Sequence, residues 1–194
     1  WIEGTSSPSF TDCLIENNVV VQMGNEGGWS IHVPDRSRGS EDLAMNNVTI
    51  RNNSLFFGPA ARSRGIGMGG EGTGHVVVNN AVSYAGTQNS YCLDLDLPPS
   101  SYGAVDNNIC HQKGSGSYSW APGMNLASWR NATGFDMNSS SSDPGFVDPV
   151  AHDLFPAANS VMIDAGHANL SSAYDHDGVL RDATPDIGAF EFQP

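Results

Sequence analysis

Residues 15–22 read IENNVVVQ, and three related phrases follow later in the chain. These are IRNNSLFF at 50–57, VVNNAVSY at 77–84 and VDNNICHQ at 105–112. Each phrase has an apolar residue, one variable residue, two asparagines and a largely apolar stretch. Because Asn tolerates the left-handed backbone conformation better than most residues, the pair is typical of a tight turn between two strands. We predict one such turn in every repeat.

The spacing of the phrases indicates a solenoid. The first asparagines are Asn17, Asn52, Asn79 and Asn107, so the intervals are 35, 27 and 28 residues. Recurrence on this scale is typical of repeat proteins in which each coil buries its inner face on its neighbours. Gly and Pro interrupt the chain every few residues, and no helical periodicity persists for three turns. We therefore predict coils built from strands.

A second register accompanies the asparagines. Fourteen residues after the first asparagine of three phrases lie Ile31, Ile66 and Leu93, each within a stretch of alternating apolar residues. Alternation with period two places every second side chain on the same face of a strand. These three side chains, and those two positions further on, are predicted to point into the core. The residues between them are then expected to form one outward row, which consists of His32, Gly67 and Asp94.

The strand coils and paired asparagines resemble the right-handed parallel β-helix of the pectate-lyase-like superfamily. The segments 139–166 and 174–192 are also similar to the ending of many secreted bacterial β-helix proteins. The shared motifs are DP-x-F-x-D, S-x-x-x-D-A-G, D-x-D-G-x-x-R and P-D-I-G-A-F-E-F. The resemblance implies an all-β solenoid with coils over 1–142 and a terminal coil and capping tail over 143–194. The chain enters within a strand pattern, which we interpret as the C-terminal part of a longer solenoid.

The motif D-H-D-G-V-L-R-D at 175–182 superficially resembles a calcium loop but lacks the glutamate at its twelfth position. We interpret it as a structural clasp in which Arg181 pairs with a local carboxylate and the tail folds over the last coil. Phe190 and Phe192 alternate with smaller or polar residues, which predicts a final strand that covers the open end of the solenoid.

Composition restricts the classes of partner. The chain has 21 acidic and 8 basic residues and a formal charge of -13, which disfavours nucleic acid because phosphate affinity depends on Lys and Arg. No apolar run is long enough to span a bilayer, so no membrane span is expected. The three cysteines match no zinc motif, and we expect plain buried thiols.

Asp94 and Asp96 are the main candidates for chemistry, since residues two apart on a strand project about 6.6 Å apart on one face. Such a pair could serve as acid and base or nucleophile in glycoside cleavage. It could equally hold Ca²⁺ that bridges an acidic sugar, with Arg64 as proton acceptor, as the resemblance to β-helix lyases implies. An ordinary solvated acidic face is the alternative. His32 is the fourth candidate catalytic residue because it lies in the same outward row.

Three further residues are candidates for substrate binding. Arg62 and Arg36 lie in segments that flank the predicted outward row, and Trp120 lies in an aromatic-rich region where the repeat becomes irregular. Aromatic rings often stack on sugars, although most simply pack in the core. Glycines beside Asp94 are expected to leave a shallow groove for a sugar chain.

These patterns predict a secreted or cell-surface β-helix protein that binds or cleaves a polysaccharide. The rival hypothesis is a non-catalytic surface, adhesive or filament-forming module that self-associates through its coil edges. The superfamily includes lyases, hydrolases, epimerases and surface proteins, so fold alone does not choose between these classes.

Overall fold

A computed structural model describes residues 9–25, 27–33, 44–86, 90–112 and 120–193 of the chain. Strands dominate these residues, together with one α-helix, α1 (Leu126–Thr133), and three short 3-10 helices at Pro99–Ser101, Pro149–Ala151 and Ala168–Leu170. The strands are β1 (Ser9–Thr11), β2 (Leu14–Glu16), β3 (Val19–Gln22), β4 (Gly27–Val33), β5 (Ala44–Asn46), β6 (Thr49–Arg51), β7 (Ser54–Phe57), β8 (Arg62–Met68), β9 (His75–Val78), β10 (Ala81–Tyr84), β11 (Leu93–Leu95), β12 (Tyr102–Asp106), β13 (Ile109–Gln112), β14 (Phe146–Asp148) and β15 (Asp153–Pro156).

Three parallel sheets form the body of the protein. Sheet 1 has the order β2-β6-β9-β12, sheet 2 the order β3-β7-β10-β13 and sheet 3 the order β4-β8-β11. The chain visits the three sheets in turn, and every pairing within them is parallel. The prediction of a mostly-β protein built from stacked strands is therefore confirmed.

The predicted inward row is also confirmed. Ile31 pairs with Ile66, and Ile66 pairs with Leu93, so the fourteen-residue offset is a true structural register. All three side chains are buried in the main apolar core. The offset survives insertions elsewhere because each unit between the Asn turn and sheet 3 has the same length.

The two asparagines of each phrase have separate roles. The first asparagine has a positive φ in every phrase, between 51° and 57°, as a tight left-handed turn requires. The second asparagine points along the stack and bonds its counterpart in the next coil. For example, the backbone amide and the side-chain Nδ2 of Asn53 both donate to Oδ1 of Asn80, at 3.2 and 2.9 Å. The Asn pairs thus form a hydrogen-bonded ladder.

The ladder has a fifth rung at Asp136, which no Asn-Asn pair in the sequence marks. Asn108 donates from Nδ2 to Oδ1 of Asp136 at 3.0 Å and from its backbone amide to Oγ of Ser139 at 2.8 Å. The other carboxylate oxygen of Asp136 accepts from Nε1 of Trp120 and Nε1 of Trp129. Burial raises the pKa of Asp136, and the hydrogen bonds from Asn108, Ser139 and the two indoles oppose that rise.

Residues 120–140 cover the C-terminal edge of all three sheets. Trp120 O accepts from the amide of Leu93 in sheet 3, and Ser140 O accepts from the amide of Cys110 in sheet 2. Helix α1 begins after Asn125, whose side chain caps Ser128 N, and ends at Gly134 with φ 76°. Trp120 is 0% exposed. The assignment of Trp120 to sugar binding is therefore wrong, and its indole instead packs beneath this cover.

The tail lies along the Asn turns and does not cover the open end. Asn107 Nδ2 donates to Ala165 O, and Asn79 Oδ1 accepts from His167 N. Further along the tail, Ser172 N donates to Asn52 Oδ1, and Asn17 Nδ2 donates to Tyr174 O. Each successive contact is one coil earlier, so the tail runs back along the stack. The first asparagine of each phrase is therefore the docking residue for the tail.

The predicted final strand at Phe190 and Phe192 is absent, since residues 189–193 have no strand conformation. Phe190 stacks on Phe155 at 3.9 Å and joins a second apolar cluster with Phe56 and Ala81 on the outer face of sheet 2. The outer face of sheet 2 is thus covered where its outward residues Phe56, Ala81 and Ile109 are apolar.

The predicted clasp exists within the tail. Arg181 NH1 donates to Oε2 of Glu191 at 2.9 Å, with side chains only 2% and 5% exposed. Asp175 accepts from the amides of Asp177, Val179 and Glu191, which holds the turn in place.

Two cysteines are joined, contrary to the expectation of plain thiols. A disulfide links Cys92 and Cys110, whose Cα atoms are 6.1 Å apart, and Cys13 is free. Both joined residues are 1% exposed, so the bond crosses the interior between the start of β11 and β13. The sequence could not reveal the pair because contact between coils depends on the register. No helix within the described ranges is long and apolar enough to span a membrane.

Replacing Cys92 and Cys110 together by Ser should lower the free energy of unfolding by about 3 kcal/mol, because the bond restricts the unfolded chain across 18 residues. Urea unfolding with and without reductant measures the effect, and reductant should destabilise the wild type alone. Cys13→Ser is the control and should change little. Three alkylated thiols in the unreduced, denatured protein would contradict the disulfide.

Candidate functional site

The outer surface of sheet 3 carries the predicted outward row. His32 pairs with Gly67, and Gly67 pairs with Asp94, so these residues lie side by side on three strands. His32 is exposed and Asp94 is partly buried. We call this surface the Asp94 face and define it by six residues: Trp29, His32, Arg64, Tyr91, Asp94 and Asp96.

Gly67 does not open a groove, as had been expected, because Trp29 covers it. A β-carbon on residue 67 would lie 2.8 Å from the indole of Trp29. The same indole stacks on the His32 ring with 5.3 Å between centroids. His32 is two strand spacings, about 9.6 Å, from Asp94, and the Trp29 ring lies over the strand between them. His32 and Asp94 share a face but are not in direct contact.

Trp29 reaches the outer surface because the strands bend beside it. The consecutive amides of Gly65 and Ile66 donate to the consecutive carbonyls of Tyr91 and Cys92, at 3.1 and 2.7 Å. In a regular parallel pair only alternate amides of a strand face a given neighbour. A β-carbon on residue 65 would lie 2.5 Å from Cys92 O, so glycine is required at this bend. Alternation continued back from Ile31 would turn Trp29 inward, but its indole lies on the outer face.

Arg64 is held between two aromatic rings. Its guanidinium carbon is 5.1 Å from the Trp29 ring centroid and 5.0 Å from the Tyr91 ring centroid. Both distances are within the range of cation–π attraction. Trp29 and Tyr91 are therefore functional candidates that sequence reasoning missed, although each lies two residues before a member of the inward row. Arg62 is exposed opposite Gly27 on the same sheet, and Arg36 lies outside the described residues.

Asp94 and Tyr91 are the two groups on this face whose pKa is raised. Burial and the neighbouring charge of Asp96 raise the pKa of Asp94, while a hydrogen bond from Tyr91 and the charge of Arg64 oppose the rise. Burial, followed by the charge of Asp94, raises the pKa of Tyr91. The negative charge of Asp96 therefore acts on Asp94 across this face.

Glycosidases use two carboxyl groups at characteristic separations. Retaining enzymes place them about 5–5.5 Å apart, and inverting enzymes about 6.5–9.5 Å apart. Strand geometry gives about 6.6 Å for residues two apart on one strand. Both carboxyl groups can also accept hydrogen bonds from the hydroxyl groups of a bound sugar.

Among the residues that the structure describes, no third His, Cys, Asp or Glu joins Asp94 and Asp96 as a calcium ligand. Within the described ranges, no group of three or more His, Cys, Asp or Glu side chains could hold a metal ion. Ca²⁺ takes six to eight oxygen ligands. Asp94 and Asp96 would therefore need oxygens from water, the backbone or a bound sugar to complete such a site.

The difference in unfolding free energy between wild type and Asp94→Asn should change with pH. A raised folded-state pKa means that the folded protein holds the Asp94 proton more tightly than the unfolded chain does. The stabilisation this gives is complete below the unfolded pKa of about 3.9 and is lost as pH rises through the folded value. The free energy of unfolding of wild type relative to Asp94→Asn should therefore fall from pH 3 to pH 7. Urea unfolding at several pH values measures it, and a rising difference would contradict the burial of Asp94.

No protein-family model, curated protein or solved structure matches this chain. The function is therefore inferred from the chemistry of the Asp94 face. That face combines aromatic rings, a fixed cation and a pair of hydrogen-bonding carboxyl groups on a stack of parallel strands.

Proposed function

We propose that the protein binds a polysaccharide on the Asp94 face. The observation that carries the proposal is the position of Trp29 and Tyr91 beside the Asp94–Asp96 pair on a solvent-facing sheet. Sugar rings have apolar C–H faces that pack on aromatic rings and hydroxyl groups that donate to carboxylates. A binding site with a few directed polar groups among aromatic walls has this composition. Arg64 stiffens the two rings and adds a donor.

We also propose that the three sheets are the faces of a right-handed parallel β-helix. Support comes from the repeated order in which the chain visits the sheets, the Asn ladder and the strong right-handed preference of parallel crossovers. Such a solenoid repeats its outer face at the strand spacing of about 4.8 Å. A linear glycan can then contact several coils at once.

Binding is the proposal because the aromatic rings and the cation beside the carboxyl pair are groups that hold a sugar without breaking a bond. Cleavage by the pair would be an additional activity of the same face. On this proposal, the non-catalytic alternative is a surface module that adheres by binding glycans. We propose a secreted or cell-surface location, which the Cys92–Cys110 disulfide supports because such bonds persist in oxidising compartments.

The test is affinity electrophoresis through gels that contain neutral, cationic or acidic polysaccharides, with and without Ca²⁺. Retardation by at least one glycan is expected. Trp29→Ala should weaken the affinity about tenfold, since a central Trp often dominates an interface. Asp94→Asn with Asp96→Asn should also weaken it. Asp177→Asn removes an exposed carboxylate in the tail and is the matched charge control.

Two results would overturn the proposal. The first is that none of the glycans retards the protein. The second is retardation that is equal in wild type and Trp29→Ala, since binding would then occur elsewhere. Release of reducing ends or unsaturated products by wild type, lost in Asp94→Asn, would show that the face cleaves as well as binds.

A further inference from the structure

A cavity lies between the outer surface of sheet 2 and the start of the tail, and no residue of the Asp94 face lines it. It has a volume of about 310 Å³. Its apolar lining includes Phe56 and Ala85 from the sheet side and Phe146, Val147 and Val150 from the tail. Small-molecule sites start at about this size. The cavity therefore suits a single ring or a short hydrocarbon chain.

The polar groups of the cavity belong to one row of paired residues on sheet 2 and to the tail. Phe56 pairs with Ser83, and Ser83 pairs with His111, so these outward residues form a row. Ser83 is 6% exposed and lines the cavity. The Ser83 hydroxyl can both donate and accept, so it can bond a ligand that enters the cavity.

Asp143 gives the cavity its charge. Its side chain is 60% exposed and also lies 3.6 Å from Nε2 of His111. Its other oxygen accepts from the amide of Gly145. Among the described residues that line the cavity, none is Lys or Arg. The chain as a whole carries a formal charge of -13, so the local and the overall field both favour a cation.

We propose that this cavity binds a small organic cation, namely a protonated amine on an apolar ring or short chain. The hydrocarbon part packs between Phe56 and Phe146, and the ammonium group lies at the mouth beside Asp143. The Ser83 hydroxyl accepts one of its hydrogen bonds. The amine could be a free molecule or the end of a lysine side chain in a peptide, and both present the same chemistry.

The test is an amide NMR titration of the whole chain with three ligands of similar shape: 2-phenylethylamine, 2-phenylethanol and phenylacetate. The amine should bind most tightly, with a Kd of about 1 mM, and shift the amides of Ser83 and Val147. Asp143→Asn should weaken amine binding about threefold to fivefold and leave the alcohol unchanged. N-acetyl-lysinamide separates the sources, because tighter binding of this ligand assigns the site to a peptide.

Asp177→Asn removes the same charge at a distance and should bind the amine like wild type. Asp94→Asn should also behave like wild type, which separates this site from the proposed glycan face. Thermal unfolding of Asp143→Asn confirms that the variant is folded. The proposal is overturned if no ligand shifts these amides, if phenylacetate binds as tightly as the amine, or if Asp143→Asn leaves the amine affinity unchanged.

Discussion

Replacing Asn80 by Asp should lower the free energy of unfolding by about 3–5 kcal/mol. Asn80 is 0% exposed, and its Nδ2 donates to Ile50 O, Val78 O and Oδ1 of Asn108. A carboxylate has the same shape but no donor, so a buried negative charge would face three oxygen acceptors. Equilibrium urea unfolding at pH 7 measures the loss. Stability should partly return at low pH, where the new carboxyl group gains a proton.

Asn18→Asp is the matched control for this prediction. Asn18 is the same residue at the first rung, but its side chain is exposed and water can replace its bonds. We expect a loss of about 1 kcal/mol there. Equal losses at positions 18 and 80 would show that the ladder does not depend on burial. The comparison therefore isolates the contribution of the interior rungs.

Replacing Arg181 by Met should cost about 3–5 kcal/mol, because it leaves the Glu191 carboxylate buried without its cation. Arg181 also donates to Gly188 O and to Oδ1 of Asn17, so it ties the tail to the first coil. Burial lowers the pKa of Arg181, and the charge of Glu191 opposes that decrease. The charged form of each side chain is therefore stabilised by the other. Unfolding free energy and limited proteolysis of residues 160–192 are the measurements. The tail should become the first site of cleavage.

Arg51→Met is the control, since Arg51 pairs with Glu16 at 2.7 Å but both side chains are more than 20% exposed. Exposed pairs contribute about 0–1 kcal/mol. The double variant Arg181→Met with Glu191→Met should recover part of the stability because no unpaired charge remains. A double variant as unstable as Arg181→Met alone would argue against this account of the clasp.

The strand stack was predictable because its signals are local. A left-handed turn selects Asn, and alternation with period two assigns faces, so Asn17 and Ile31 could be read without knowledge of any partner. Alternation does not describe Trp29, whose indole lies on the outer face although a continuation from Ile31 would turn it inward. The bend at Gly65 depends on a close approach to Cys92 O in another coil. No local sequence pattern predicts that close approach.

The remaining surprises are contacts between distant segments. The fifth rung at Asp136 uses a carboxylate and a hydroxyl where earlier rungs use amides, so repetition could not reveal it. Cys92 and Cys110 meet only because successive coils are in register. His32 and Asp94 were correctly placed in one row, but the ring between them comes from a residue outside that row.

By itself the sequence determined the repeat, the turn residues, the inward row and the presence of a clasp around Arg181, because these depend on neighbours along the chain or on a fixed offset between coils. Only the tertiary structure decided where the tail lies, which end helix α1 covers and what surrounds Asp94. Those outcomes depend on which outward surfaces remain to be buried. The apolar outer face of sheet 2 and the first asparagine of each turn are assembled only when the coils stack, and the tail binds where they meet.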